Sequence, residues 1–397
     1  MASSTTEPRT GRKRPRDRRE RIVAAAAALF WERGYRRVGM ADVAGRVEIG
    51  ASALYRHFSG KSDLLVAVLN EGLARLEETT SRALEPSELL TAVARAGIER
   101  REHAALWDRE FGELPPDVAA AMQLRRDRVF ATLRAVAPTG PDATVRTRAA
   151  LAVLQSPSYH HVELDPDDAV ALLHTAATAC LTATLPRDTG SGQRASPGPL
   201  VPHARREALL ATAGRLFAER GYHAVSLTEI GAVTGIAGPS IYNYFASKLD
   251  LLSAILNRGN ETLWFGLHRA LSDAIDAPDA LGRLIDNYTS VVGGTTGVVP
   301  VLLTEGYSLS EGERGRYLAA QTHYVAEWVE LLRQARPELA ENSARLLVHA
   351  AFAVPNALGA GPSGSAIPAR QLRLLSRAVL GLPPIGEGDQ TDSLTNK

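Results

Sequence analysis

Residues 43–65 read VAGRVEIGASALYRHFSGKSDLL, and residues 230–252 read IGAVTGIAGPSIYNYFASKLDLL. The two stretches belong to a longer repeat with an offset of 187 residues. Within it, 22 of the 53 positions in 18–70 are identical in 205–257, without a gap. Identity at this level over an ungapped stretch indicates a duplicated structural unit. The fold of the chain therefore depends on what this unit forms.

The unit is predicted to form one helix, two short helices and then a long one. The apolar residues of the first helix fall at i, i+4, i+7 and i+8, the spacing of one helix face; they are Ile22, Ala26, Leu29 and Phe30. Gly34 ends this helix, residues 40–47 and 51–58 favour short helices, and the long helix begins at Lys61. A tight turn between the second and third helices is typical of a helix-turn-helix reader, whose third helix enters the DNA major groove.

The composition limits the classes of protein that the chain can form. Its 397 residues exceed what one hydrophobic core normally organises, so at least two domains are expected. The single cysteine, Cys180, excludes a disulfide framework and a site with several thiolate ligands. No apolar run is long enough to span a membrane and no secretory leader is visible, which predicts a cytoplasmic protein with no membrane partner.

The net charge of +1 hides a local concentration of positive charge near the N-terminus. Eight lysines and arginines between residues 9 and 21 are accompanied by only Asp17 and Glu20. One interpretation is a disordered tail that keeps the protein in solution, and the other is an arm that lies along phosphates or in the minor groove. The second interpretation makes DNA contacts of the arm residues Arg12, Lys13, Arg14 and Arg16.

The repeat extends weakly beyond the 53 residues, because 106–110 followed by Leu114 resembles 302–305 followed by Leu309, at an offset of 195. The halves are therefore duplicated domains, and both show helical periodicity without strand alternation, which predicts an all-α protein. A stretch rich in Pro, Gly and Ser separates them. The predicted segments are a basic disordered arm (1–16), a first head (17–70), a first helical body (71–185), a linker (186–202), a second head (203–257), a second helical body (258–382) and a disordered tail (383–397).

The two motifs quoted above resemble the DNA-binding signature of the TetR/AcrR family of transcriptional regulators, which runs roughly T-x-x-I-A-x-x-A-G-V-S-x-G-x-x-Y-x-Y-F-x-x-K-x-x-L. The resemblance covers about 50 residues in each half. It implies two tandem TetR-like domains, each with a helix-turn-helix head and a helical effector and interface body. Family members are usually homodimers of one domain, so two copies in one chain resemble the tandem-domain branch, similar to actinobacterial repressors of lipid-import operons.

The resemblance assigns the DNA contacts of each head. The tyrosine and the lysine of the motif carry over as phosphate contacts, and the positions that differ between the heads are candidates for reading different bases, since arginine pairs with guanine and asparagine with adenine. The alternative is that these residues are simply solvated. The first head contributes Ala51, Ser52, Tyr55, Arg56, His57 and Lys61. The second head contributes Thr228, Gly238, Pro239, Ser240, Tyr242, Asn243, Tyr244 and Lys248. The apolar residues between them are predicted to form each head's core: Phe30, Val38, Val43, Leu54 and Phe58, then Phe217, Val225, Ile230, Ile241 and Phe245.

The first head departs from the family pattern at its turn. Glu48 replaces the family's glycine, and a residue with a Cβ resists the left-handed conformation by about 1 to 2 kcal/mol, so a reshaped turn is expected. Gly50 and Ala237 stand where the family has serine, which removes a side-chain N-cap from both reading helices. The second head keeps Gly235 and is therefore expected to be the more regular reader.

In the family the body of each domain binds a small effector and supplies the dimer interface. The residues placed nearest such a pocket are Trp107, Glu110, Glu305, Tyr307, Tyr324 and Trp328. Two other interpretations stay open. Aromatic residues at helical spacing are often core, and the two glutamates can form ion pairs with an arginine such as Arg125 or Arg314.

These patterns favour a transcriptional repressor in which a monomer that mimics a dimer binds double-stranded operator DNA. The operator would be asymmetric or pseudo-palindromic, and a small, possibly lipid-derived effector would release the DNA. No cofactor, metal site or catalytic activity is predicted. The alternatives are an enzyme built on a helical bundle, or a protein-interaction module that keeps only one functional DNA-binding head because of Glu48.

Overall fold

A computed structural model of the chain describes residues 15–82, 85–186, 202–293, 301, 305–359 and 367–383. Every regular element among these residues is helical, so the all-α prediction is confirmed. The helices of the first half are α1 (Pro15–Arg33), α2 (Met40–Arg46), α3 (Ala51–Tyr55), α4 (Lys61–Ser81), α5 (Pro86–Glu99), α6 (Glu102–Glu110), α7 (Pro116–Val136), α8 (Ala143–Gln155) and α9 (Pro166–Thr182). Short 3₁₀ segments lie at Tyr35–Arg37, Phe111–Glu113 and Ser156–Tyr159.

The second half follows the same order. Its helices are α10 (Arg205–Arg220), α11 (Leu227–Thr234), α12 (Gly238–Ile241), α13 (Lys248–Asp273), α14 (Ala277–Val292), α15 (Glu311–Ala335), α16 (Glu341–Leu358) and α17 (Ala369–Leu380), with a 3₁₀ segment at Gly306–Ser308. Most of the predicted linker, residues 187–201, and nearly all of the predicted tail, residues 384–397, lie outside the described residues.

Local chemistry explains where the head helices begin and end. Gly34 and Gly221 follow α1 and α10 with φ of 83° and 80°, a conformation that glycine adopts without a steric penalty. The Ser247 hydroxyl accepts the backbone N–H of Asp250 at 3.0 Å and caps the N-terminus of α13. At α4 the Asp63 carboxylate accepts the backbone N–H of Ser59 at 3.0 Å. Each long helix therefore starts at a fixed position directly after the reading helix.

Both head cores form as predicted. The five apolar residues predicted for each head are at most 2% exposed: Phe30, Val38, Val43, Leu54 and Phe58, and Phe217, Val225, Ile230, Ile241 and Phe245. Burying a side chain of this size contributes roughly 1.5 to 3 kcal/mol relative to leaving it in water. These residues therefore stabilise the heads and leave their polar neighbours free to contact other molecules.

The described chain divides into two compact units. The first unit contains the first head, up to Glu77, together with Glu102–Asp127. The second contains Glu78–Arg101 and the described residues from Arg128 onward, including the second head. The domain boundaries expected from the sequence differ from this division and stay a prediction.

Within the second unit, helices from the two halves of the sequence pack against each other. α8 and α9 come from the first half, α16 and α17 come from the second, and together they form a four-helix interface. The Asn342 side chain donates to the Glu163 carbonyl at 2.8 Å, and the Gln371 side chain donates to the Pro186 carbonyl at 3.2 Å. The buried ring of His160 stacks on the half-buried ring of His349 across the same interface, with centroids 4.4 Å apart.

Candidate nucleic-acid interface

The reading helices α3 and α12 are anchored by one apolar face. Leu54 and Ile241 are fully buried, and the next buried residues are Phe58 and Phe245, four positions further on. The residues between them are directed away from the core, because a helix places positions i and i+4 on the same face. Each head therefore presents the intervening polar side chains to solvent.

The predicted contact residues lie mainly on this solvent side. In the first head Ala51, Ser52, Tyr55 and Arg56 are exposed and His57 is half-buried. In the second head Thr228, Tyr242 and Asn243 are exposed, and Ser240 and Tyr244 are half-buried. The two tyrosines, Tyr55 and Tyr242, are 54% and 60% exposed. The side chains of Gly238 and Pro239 lie outside the described residues.

The turns between the second and third helices have the same form in both heads. Glu48 has φ of 55° and Gly235 has φ of 68°, and Glu48 is the only non-glycine with positive φ among the described residues. The N–H of Ile49 donates to the Ala44 carbonyl at 3.0 Å, and the N–H of Ile236 donates to the Gly231 carbonyl at 2.9 Å. The expectation of a reshaped first turn is therefore wrong, because Glu48 adopts the strained conformation.

Neither reading helix has a side-chain N-cap, as the sequence predicts. Gly50 and Ala237 occupy the N-cap positions of α3 and α12 with extended backbone and no capping hydrogen bond. The two heads therefore match in turn geometry and in this missing cap. The second reader is not the more regular of the two in these respects.

The lysines predicted to contact phosphate sit at the start of α4 and α13. The ammonium of Lys61 lies 4.3 Å from the ring centroid of Tyr35 and donates to the Arg36 carbonyl at 3.3 Å. The ammonium of Lys248 lies at the same distance, 4.3 Å, from the ring of Tyr222. Partial burial lowers the pKa of Lys61, and the negative charge of Glu110 opposes that shift. Both lysines are thus held over an aromatic face, a favourable position for a cation.

The two heads differ in charge. Over the 53 aligned positions, the first head has nine Lys and Arg against five Asp and Glu, a net charge of +4. The second has five against four, a net charge of +1. Five positions carry arginine in the first head and an uncharged residue in the second, and only Arg215 shows the reverse. The five arginines are Arg21, Arg36, Arg37, Arg46 and Arg56.

The arm predicted to contact DNA lies at the edge of the described chain. Arg12, Lys13 and Arg14 lie outside the described residues. Arg16 belongs to the first turn of α1, and its side chain is likewise outside them. The arm contacts stay a prediction.

The two glutamates placed near an effector pocket contact the heads instead. Glu110, only 8% exposed, accepts the backbone N–H of Tyr35 at 3.2 Å, and Glu305 accepts the backbone N–H of Tyr222 at 2.9 Å. The suggested ion pair with Arg125 is also not what the structure shows, because Arg125 donates to Glu77 at 2.8 Å. Sequence reasoning missed this contact, although the recurrence of the two glutamates was the available signal.

The aromatic residues placed near a pocket fall into two separate groups. Trp107 belongs to the first unit, where it stacks on Phe111 at 4.7 Å. Tyr324 and Trp328 belong to the second unit and form a buried aromatic cluster with Tyr288 and Phe352. The Tyr324 hydroxyl and the Trp328 indole nitrogen are both buried within this cluster. The Tyr307 side chain lies outside the described residues.

Comparison with known proteins gives two matches within the chain to one family model, described as bacterial regulatory proteins, tetR family. The matches cover residues 22–68 and 209–255, which are the two heads. The HTH-type transcriptional activator FasR of Mycolicibacterium smegmatis is 36% identical over 84 residues, 21% of this chain and 38% of that protein. The HTH-type transcriptional repressor KstR2 of Rhodococcus jostii is 31% identical over 130 residues, 32% of this chain and 63% of that protein.

Among solved structures, the ketosteroid transcriptional regulator KstR2 of Mycobacterium tuberculosis aligns with a TM-score of 0.41 at 23% identity. The alignment covers 45% of this chain and 95% of that one. The chain spans less than two thirds of the length of the two curated relatives, FasR of Mycolicibacterium smegmatis and KstR2 of Rhodococcus jostii.

The class is defined by two helix-turn-helix heads in one all-α chain. The chain therefore carries two tetR-family DNA-binding heads in tandem. FasR and KstR2 are named as transcriptional regulators and not as enzymes, in agreement with the prediction of a regulator without catalytic activity. None of the described helices combines the length and the apolarity needed to cross a membrane.

Proposed function

We propose that this chain is a DNA-binding transcriptional regulator, acting in the cytoplasm, whose two unlike heads bind one operator. The observation that carries the proposal is that one chain holds two complete heads with the same turn geometry and different exposed residues. Of the two relatives, one is named an activator and the other a repressor. We favour repression, as the sequence resemblance implies.

The four-helix interface supports a monomer that mimics a dimer. α8 and α9 pack against α16 and α17 of the same chain, so the apolar faces of these helices are already covered. A second chain is not required to bury them. One molecule then offers two heads, and the operator half-sites would lie about one helical turn, or a multiple of it, apart.

The exposed residues of the reading helices support unlike half-sites. Arg56 and Asn243 occupy matched, exposed positions in the two heads. In the major groove, arginine forms paired hydrogen bonds with guanine, and asparagine forms them with adenine. A palindrome would require identical readers, so the operator is asymmetric or only pseudo-palindromic.

The charge difference supports unequal roles for the heads. The first head carries +4 and is preceded by the basic arm, whereas the second head carries +1. Phosphate contacts supply affinity that depends on salt, and base contacts supply specificity. The first head therefore contributes more of the electrostatic affinity, and the second depends more on its contacts with bases.

The buried aromatic cluster supports an effector site in the second body. The hydroxyl of Tyr324 and the indole nitrogen of Trp328 are buried polar groups in an apolar surrounding, an arrangement typical of sites that orient a small, mainly apolar ligand. We infer that a small effector, possibly derived from a lipid, binds there and releases the DNA.

Selection of bound sequences from a random DNA pool, with the full chain at a stated salt concentration, tests the proposed function. The proposal predicts one asymmetric motif with two different half-sites. A perfect palindrome would show that two identical heads act together, and failure to enrich any sequence would contradict site-specific DNA binding. A motif with one half-site only would favour the alternative in which a single head is functional.

A further inference from the structure

Two successive contacts link helix α6 to the predicted phosphate contact of the first head. The nearly buried carboxylate of Glu110, the last residue of α6, accepts the backbone N–H of Tyr35 at 3.2 Å. The ring of Tyr35 in turn holds the ammonium of Lys61 at 4.3 Å. The same tyrosine packs edge-on against the buried Phe30 ring, with centroids 5.2 Å apart, so its position is tied to the head core.

The second half of the chain repeats this arrangement. Glu305 accepts the backbone N–H of Tyr222 at 2.9 Å, and the Tyr222 ring holds the ammonium of Lys248 at 4.3 Å. Tyr222 also packs edge-on against Phe217 at 5.2 Å. The tyrosines and lysines recur at an offset of 187 residues but the glutamates at 195, so the contact is kept although the chain between its partners differs in length.

We propose that Glu110 and Glu305 are positioning residues that hold Lys61 and Lys248 in place for phosphate contact. The inference rests on the proposed DNA-binding function and adds the residues through which the body acts on each head. A shift of the body segment that bears the glutamate would move the tyrosine, and the lysine ammonium would lose its contact with the tyrosine ring. In this proposal the glutamate does not touch DNA and affects the phosphate contact through the tyrosine and the lysine.

Electrostatics supports the link between the carboxylate and the lysine. The charge of Glu110 raises the pKa of Lys61 against the lowering effect of burial. A cation over an aromatic face depends on close approach to the ring, so displacement of Tyr35 would weaken it. The carboxylate thus favours the charged form of the lysine, and its hydrogen bond with the Tyr35 N–H keeps the ring in place beside the ammonium.

The additional contacts around Glu110 in the first head differ from those around Glu305 in the second head. In the first, Arg109 donates to the Phe30 carbonyl at 3.1 Å, and the guanidinium of Arg36 pairs with Glu113 at 2.6 Å. In the second, the position of Arg36 is occupied by His223, whose ring lies 3.4 Å from the Ser308 hydroxyl. The first head therefore has an ion pair at the position where the second has a contact between a histidine and a serine.

The test uses the full chain and a duplex that carries the selected operator sequence, with affinity measured over a range of salt concentrations. Glu305→Ala should lower the slope of log affinity against log salt by about 0.9, the loss of one phosphate contact. Lys248→Ala should have the same effect, and the double variant should add nothing further. Glu305→Gln keeps a neutral acceptor for the Tyr222 N–H and should recover most of the slope. Glu261→Ala removes an exposed carboxylate on α13 and is the matched control for the change in charge.

Amide hydrogen exchange gives a second measurement that does not depend on DNA. The Tyr222 N–H should exchange faster in Glu305→Ala than in the parent chain, and Glu305→Gln should stay close to the parent. Faster exchange with an unchanged salt slope would overturn the positioning role, and so would additive effects of Glu305→Ala and Lys248→Ala. If the parent chain itself does not bind the duplex, the proposed function fails. If the parent chain binds and the variants bind equally well, only the positioning role fails.

Discussion

Glu48 bears a conformational cost that its counterpart Gly235 does not. It adopts φ of 55° in the turn before the reading helix, and its side chain is exposed, so no packing contact compensates for the strain. A non-glycine residue in this region costs about 1 to 2 kcal/mol. The first head thus keeps the turn geometry of the second head at the expense of some stability.

Substitution of Glu48 by glycine should therefore stabilise the first head. Relief of the strain is partly offset by the greater freedom of glycine in the unfolded chain, which leaves a gain of about 0.5 to 1 kcal/mol. Gly235→Ala is the matched opposite change, since a Cβ there meets no atom within 4 Å and only the backbone is strained. We expect it to destabilise the second head by about 1 kcal/mol. Native-state hydrogen exchange of the head amides checks both, and equal exchange in Glu48→Gly and the parent would contradict the account.

Arg56 and Asn243 are expected to affect different half-sites. Arg56→Ala should weaken binding by about 1 to 3 kcal/mol and relax base preference in one half-site only, because the guanidinium contacts one base pair. Asn243→Ala should relax the other half-site. Gel-shift titration against single-base variants of the selected operator measures the effect, and equal relaxation of both half-sites by Arg56→Ala would refute the division between heads.

At the level of helices and turns, the repeat was sufficient to predict where the head helices lie, because apolar spacing and the glycine stops are local properties. Helix α1 extends from Pro15 to Arg33, against 18–33 expected, and α4 begins at Lys61 as expected. The link from Glu110 to Tyr35 was not predictable in this way. A carboxylate that accepts a backbone N–H 75 residues earlier leaves no spacing pattern, and nothing in the residue types singles out the acceptor.

The four-helix interface contains a stacked pair of histidines, the buried His160 and the half-buried His349, that should make stability depend on pH. Burial lowers the pKa of His349 from 6.5 to about 4 and lowers the pKa of His160 well below its usual value. Arg345 on the same helix adds to the shift at His349, and His349, Arg101 and His161 add to it at His160. Both rings are therefore neutral in the folded state over a range where the unfolded chain binds protons.

The free energy of unfolding therefore keeps its full value above about pH 6.5 and decreases as the pH falls toward 4. At pH 4, His349 alone accounts for a loss of about 3 kcal/mol. His349→Phe keeps a ring in the stack and removes the titrating group, so it should flatten the pH dependence of unfolding between 6.5 and 4. The exposed His323→Phe is the control and should leave that dependence unchanged. Urea unfolding at a series of pH values measures the effect, and the same slope in His349→Phe and the parent would contradict the assignment.

At the level of the whole molecule, duplication within one chain allows the two readers to diverge. Each head can change its exposed residues without changing the other, and the charges of +4 and +1 record such divergence. The interface that would join two identical chains is formed inside one chain by α8, α9, α16 and α17. A chain of net charge +1 whose first head carries +4 should avoid coating DNA and still bind a particular site.

The central claim is that one chain supplies both readers of one operator. Native mass spectrometry of the full chain with its selected operator duplex tests this most directly, because it counts the chains in the complex. The account predicts one chain of 42.5 kDa per duplex. Two chains per duplex, with no complex containing a single chain at any protein concentration, would contradict it.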